Sequence, residues 1–201
     1  MNSTDAHALW LYTRTHHGLT FACGAGVLGV LLVLSTHTSR VIATWDGSSS
    51  TPLNIAALTG LGILTATTWP NRGGPQEDSL MTRSPALIRR LHPLVITLGS
   101  CAFAAAVTAM ISTSCPQMLI TTRAVLLSSS LAFLGAGTGR SFLAWCLPVA
   151  YFMALTTVGY MPSGTPRWWN VPMQPFDNHT AWILTATAAA VAGCVVWRAT
   201  R

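Results

Sequence analysis

Six long, almost uncharged stretches organise this chain, at about residues 18–36, 53–69, 93–113, 120–139, 142–160 and 181–197, and arginine, proline, glycine and asparagine gather between them. Each stretch is close to the ~20 residues that a helix needs to cross ~30 Å of hydrocarbon. The pattern predicts an all-α, polytopic integral membrane protein: one transmembrane domain over residues 1–201 with six transmembrane helices. Only the fourth stretch holds a charge, Arg123, and it is free of charge from Ala124 to Gly139.

Composition agrees with lipid as the solvent. Charged residues make up 8% of the chain and hydrophobic ones 51%, with a mean hydropathy of +0.48, against roughly 25% charged in an ordinary soluble domain. All 11 basic residues are arginine. The net charge of +6 does not point to nucleic acid, because the arginines punctuate apolar segments instead of clustering beside groove-reading side chains. Cys23, Cys101, Cys115, Cys146 and Cys194 form no CxxC pair, so neither a disulfide framework nor a zinc site is expected.

With six spans, Arg14, Arg72, Arg83, Arg89, Arg90, Arg140, Arg198 and Arg201 fall on one side of the membrane, and Arg40, Arg123 and Arg167 on the other. The positive-inside rule then puts both termini in the cytoplasm. Tryptophans near both sets of span ends, among them Trp69, Trp145 and Trp197 inside and Trp168, Trp169 and Trp182 outside, suit rings that prefer the interface. The expected location is a bacterial cell membrane, with the lipid bilayer as a partner.

The segment before the first span reads as an amphipathic helix over about residues 5–17, capped by Asp5, with Leu9, Tyr12 and His16 at helical spacing. A frayed polar tail is the alternative. A cleaved signal peptide ending near Val41-Ile42-Ala43 is less favoured, because the apolar run from Leu19 to Ser35 exceeds the usual h-region and Asp5 sits in the n-region.

Between the second and third spans, a flexible Pro70-to-Asp78 stretch leads into Ser84-Pro85-Ala86-Leu87-Ile88-Arg89-Arg90-Leu91. Serine at the cap and proline at the first helical position predict a short cationic helix on the cytoplasmic face. It reads either as a docking helix or as a loop whose arginines only orient the protein. Met161 to His179 is the longest outer connection, with Pro162, Pro166, Pro172 and Pro175 around Trp168-Trp169. Such a stiff loop reads as a lid or re-entrant element on a substrate path, or as an interfacial anchor without a substrate role.

Small residues four apart, Ala25 and Gly29, Ser100 and Ala104, and Gly135 and Gly139, predict close helix packing in a bundle. Ala104-Ala105-Ala106-Val107 and Ala188-Ala189-Ala190-Val191 hint at a three-plus-three repeat.

Candidate chemistry is sparse. Without lysine the chain can supply neither a P-loop nor a Schiff base. The carboxylates Asp5, Asp46, Glu77, Asp78 and Asp177 all lie outside the spans, which argues against a carboxylate proton relay. His16, His17, His37, His92 and His179 sit near span ends on two different sides, unlike paired haem ligands; His37 and His179 share the outer side but lack a third metal ligand. No histidine is embedded in the last span to serve Ser141 as a base, and Ser128-Ser129-Ser130 reads as hydroxyls bonded to their own helix. No catalytic residue, metal or cofactor is expected. Arg123 reads as a side chain that snorkels to the headgroups, or else as a cation facing an outer vestibule and an anionic substrate.

Taken together, six spans with both termini inside, a surface helix ahead of the first, a basic loop between the second and third and an elaborated outer segment between the fifth and sixth resemble the permease of an ABC-2-type exporter. The resemblance implies that the loop from Arg72 through Arg90, with Arg83, Arg89 and Arg90, docks onto a separate cytoplasmic ATPase, and that a second permease copy or paralogue completes the path. Pro166-Arg167-Trp168-Trp169-Asn170-Val171-Pro172-Met173-Gln174-Pro175 is similar to a Trp-Trp-x-x-Pro-x-x-Pro element of small actinobacterial membrane proteins. Arg123, Trp168 and Trp169 are the candidate substrate-path or lid residues. The alternatives are a non-transporting immunity, sensor or accessory protein, and a small membrane enzyme using His37 or His179.

Overall fold

The computed structural model describes residues 18–37, 41–43, 50–67, 85–111, 115–139 and 142–199. Among them are six α-helices: α1 (Gly18–His37), α2 (Leu53–Thr67), α3 (Pro85–Ile111), α4 (Cys115–Gly137), α5 (Leu143–Val158) and α6 (His179–Ala199). Two three-residue strands, β1 (Val41–Ala43) and β2 (Ser50–Pro52), pair antiparallel between α1 and α2. That hairpin is not foreshadowed in the apolar pattern. Three helical segments are long and apolar enough to cross a membrane: Leu91–Met110 within α3, and the whole of α4 and α6. The proposed surface helix at residues 5–17, Arg72 and Arg83 lie outside the described residues.

α4 is the centre of the bundle and packs against α2, α3, α5 and α6. Its sequence explains the position. Small and hydroxylated residues surround the helix, so no side is too bulky or too polar for a neighbour, and a helix without a solvent face is a buried one. Of its apolar window 61% is buried inside the protein, against 28% for α3 and 22% for α6. The stretch interrupted by Arg123 is therefore the core, not a peripheral span.

Close approaches build that core. Gly62 of α2 lies directly on Ser128 and the Ser128–Ser129 backbone of α4, where a Cβ has no room. Ala25 and Leu32 of α1, Leu58 and Leu61 of α2, Cys101 and Ala104 of α3 and Val125 of α4 form one apolar cluster. The Ala25/Gly29 and Ser100/Ala104 pairs are buried as close packing requires. Gly139 is not a packing residue: at φ +76° it follows the end of α4 and donates its N–H to Ala136 O at 3.1 Å, a left-handed helix stop that glycine adopts without strain.

The cationic helix expected at residues 84–91 is not separate. α3 runs without a break from Pro85 through Pro93 to Ile111. Proline removes one backbone donor but does not force a break where neighbouring helices support the turn. Hydroxyls mostly bond their own helices, as with Thr59 to Ile55 O at 2.8 Å, Thr185 to Ala181 O at 2.8 Å and Ser130 to Leu126 O at 2.6 Å. Ser129 departs from the expectation for its triplet, since its buried hydroxyl has no partner. Thr108 also reaches across to Thr121 at 3.3 Å and ties α3 to α4.

Candidate functional site

The segment between α5 and α6 folds as a compact plug on one end of the bundle. α5 stops at Gly159, whose N–H donates to Leu155 O at 3.2 Å. The chain turns back through Gly164, φ +77°, with Gly164 N–H on Met161 O at 2.8 Å and Met161 N–H on Thr165 O at 2.9 Å. A single 3₁₀ turn, η1 (Val171–Met173), then brings the chain to α6.

Three amides hold the plug closed. Asn170, fully buried, donates Nδ2 to Gly159 O at 3.1 Å. Gln174 donates Nε2 to Arg167 O at 2.8 Å and Pro166 O at 3.3 Å, and its Oε1 accepts from Asn178 Nδ2 at 2.8 Å. Asn178 Oδ1 accepts the Ala181 N–H at 3.1 Å and caps the first turn of α6. Val171, 2% exposed, packs with Leu127 of α4 and Ala181 of α6, beside Tyr151 of α5. The plug is thus inserted among three helices.

Arg123 fastens it to the central helix. The residue has 0% exposure. It lies eight residues into α4, about 12 Å along the axis at ~1.5 Å per residue. Nη1 donates to Pro175 O at 3.0 Å and Nη2 to Gln174 O, while the guanidinium lies 5.5 Å from the Trp182 ring centroid. No carboxylate pairs with it among the described residues, and Nε has no partner. Snorkelling is therefore corrected: the cation points inward to carbonyl dipoles and an aromatic face, both of which favour positive charge. The pairing has a simple origin. Prolines accept but cannot donate from the backbone, so a segment with four of them carries surplus carbonyls, and guanidinium has five N–H donors and no acceptor.

Of the other candidates, Trp168 is 63% exposed and Trp169 is half-buried with its ring edge-on to Tyr151, centroids 6.5 Å apart. Trp169 and Arg123 are thus parts of one assembly, while Trp168 faces outward. Arg89 and Arg90 lie in the first turns of α3. His37 ends α1 and the exposed His179 begins α6; no group of three metal-ligating residues occurs among the described residues.

Sequence reasoning missed Tyr151, Asn170, Gln174 and Asn178. The clue was an Asn/Gln set inside a proline-rich loop, because such amides can serve the carbonyls that proline leaves without local donors. The Tyr151 hydroxyl donates to Trp169 O at 2.9 Å and accepts the Val171 N–H at 3.3 Å. Tyr151→Phe leaves both backbone groups without a partner, at a cost of about 1–3 kcal/mol. A lowered midpoint of thermal unfolding in detergent is expected; an unchanged one would show that this bridge is dispensable.

The chemistry available here is positional: a buried, unneutralised cation holds irregular backbone against a helical core. No family model, curated protein or solved structure matches the chain.

Proposed function

We propose that this chain is the membrane-spanning subunit of an ATP-driven exporter of the ABC-2-like kind, with six helices crossing a bacterial cell membrane and both termini in the cytoplasm. It has no catalytic group of its own. A separate ATPase docks on the loop that ends with Arg83, Arg89 and Arg90, and a second permease copy or paralogue encloses the path.

The observation that carries this reading is the plug over residues 159–178. α5 has 16 residues, or about 24 Å at ~1.5 Å per residue, short of ~30 Å of hydrocarbon. α5 is short because the chain leaves it at Gly159 and folds back over the bundle. Irregular backbone is tolerated at membrane depth only where protein satisfies it, and here Arg123, Asn170, Gln174 and Tyr151 do so. A cap whose backbone is held by polar side chains over an apolar bundle suits a gate on an export path better than a passive anchor. The excess of arginine on the side opposite the plug supports the orientation.

The test is co-purification of the full chain from its native membrane. An ATPase is expected in the eluate of the wild type and absent from that of Arg83→Ala/Arg89→Ala/Arg90→Ala. Undiminished co-purification removes the docking site. Labelling of the residue 82–91 region from outside the cell removes both the orientation and the exporter reading.

A further inference from the structure

Away from the plug, α3 and α6 flank α4 and leave a groove of about 430 Å³ between them. Leu94 and Leu98 of α3 form one wall, Ala189, Gly193 and Trp197 of α6 the other, and Phe133 of α4 the floor. From Leu91 to Leu98 it runs about 10 Å along the helix at ~1.5 Å per residue, within the depth of one leaflet of a ~30 Å core. Its volume lies within the ~300–1,000 Å³ of ligand sites. Hydroxyls are scarce in it, and that of Ser130 is already bonded to Leu126 O.

Three arginines fall at one end of this groove by helix position. Helical register continues the Leu94/Leu98 stripe back to Arg90, four residues before Leu94, and the Pro93/Thr97 stripe back to Arg89. On the facing helix, Arg198 follows Trp197 in the last turn of α6 and is exposed. α3, α4 and α6 contain no carboxylate, so nothing on these helices neutralises that end. An apolar slot one leaflet deep, with Arg198 exposed next to its Trp197 wall and Arg89 and Arg90 one turn back along α3, is complementary to a molecule with a long alkyl chain and an anionic head.

We propose that the groove between α3 and α6 is a binding site for an anionic phospholipid of the surrounding bilayer, with an acyl chain against Leu94, Leu98, Phe133 and Gly193 and the phosphodiester at Arg89, Arg90 and Arg198. Basic positions between helix ends recognise such headgroups through charge, and the acyl chain adds apolar burial. Trp197, at the mouth, suits the interfacial depth where the glycerol region lies. The inference rests on the chain spanning a bilayer and not on its acting as an exporter.

The experiment uses the full chain in nanodiscs of mixed phosphatidylglycerol and phosphatidylcholine, with retained lipid read by native mass spectrometry. Wild type is expected to retain phosphatidylglycerol over phosphatidylcholine. Each Arg→Gln change at 89, 90 or 198 is expected to lower that preference about fivefold, the effect of one basic residue near an anionic surface. Gly193→Leu fills the slot without touching an arginine. A Cβ at Gly193 meets nothing within 4 Å, so the variant should fold, and loss of retained lipid with unchanged helicity supports the site. Equal retention of both lipids, or retention unaltered by Gly193→Leu, overturns it. So does a photo-crosslinker at position 193 that captures a second copy of this chain instead of phospholipid. A chain that leaves the membrane on alkaline washing overturns the spanning reading itself, whereas one that stays but shows no lipid preference overturns only the site. Arg83→Ala separates motor docking from lipid binding, because Arg83 precedes α3 in the sequence and is not one of the three arginines assigned to the phosphodiester.

Discussion

Arg123→Ala is expected to lower stability by about 2–6 kcal/mol, the sum for two buried backbone acceptors that lose their donors. The carbonyls of Gln174 and Pro175 lose their donors inside the bundle, and each orphaned buried acceptor costs about 1–3 kcal/mol. Trp182 loses the cation near its ring, and the plug loses one of its links to the core. Two measurements separate these effects. Thermal unfolding in detergent reads the total loss, and maleimide labelling of a Val171→Cys reporter, at a site now 2% exposed and followed by peptide mapping because Cys23, Cys115 and Cys194 are exposed thiols, reads release of the plug. Arg123→Lys keeps the charge but not the paired N–H geometry and should fall between wild type and alanine. If Arg123→Ala leaves both readouts at wild-type values, the guanidinium is not what holds residues 159–178 in place.

Gly62→Leu should be comparably damaging for a different reason. A side chain at Gly62 runs into Ser128 and the α4 backbone at Ser128–Ser129, and backbone cannot rotate away as a long side chain can. Overpacking of this kind costs about 1–3 kcal/mol or more, here at the contact between α2 and the central helix. Gly26→Ala is the comparator, since a Cβ at Gly26 meets nothing within 4 Å and alanine favours a helix over glycine by ~0.8–1.0 kcal/mol. The two variants should move the unfolding midpoint in opposite directions. A Gly62→Leu protein as stable as Gly26→Ala would show that α2 does not pack on α4 at this contact.

Arg123→Ala and Gly62→Leu both act on α4, and α4 shows how far reading from residues alone could go. A helix was expected there, because Ala124 to Gly139 is free of charge. What surrounds it was not expected. A lone arginine in an apolar stretch reads as a residue that reaches for the headgroups when only its own helix is considered. Its actual partners are carbonyls 51 and 52 residues away, and no local pattern encodes a contact at that separation. The same holds for Pro93. It looked like the first residue of a span, yet α3 continues through it, because helix continuity there depends on neighbours as well as on the missing N–H. Gly135 and Gly139 make the converse point. Their spacing suggested one packing pair, but backbone conformation gave them separate tasks: Gly135 is crowded by the backbone of Leu143 and Ala144, and Gly139 is a helix stop.

Residue chemistry by itself determined that this chain is helical and apolar enough for a membrane, where its long uncharged stretches fall, and that it lacks lysine-dependent chemistry. These are properties of composition and of one-dimensional spacing, and burying backbone polar groups in hydrocarbon leaves helices as the natural outcome for such stretches. Tertiary structure alone decided which helix is central, that the segment between α5 and α6 is a plug, and that Arg123 helps to fasten it. Those outcomes depend on which surplus carbonyls meet which donors once helices pack, and that matching is set by contacts distant in sequence.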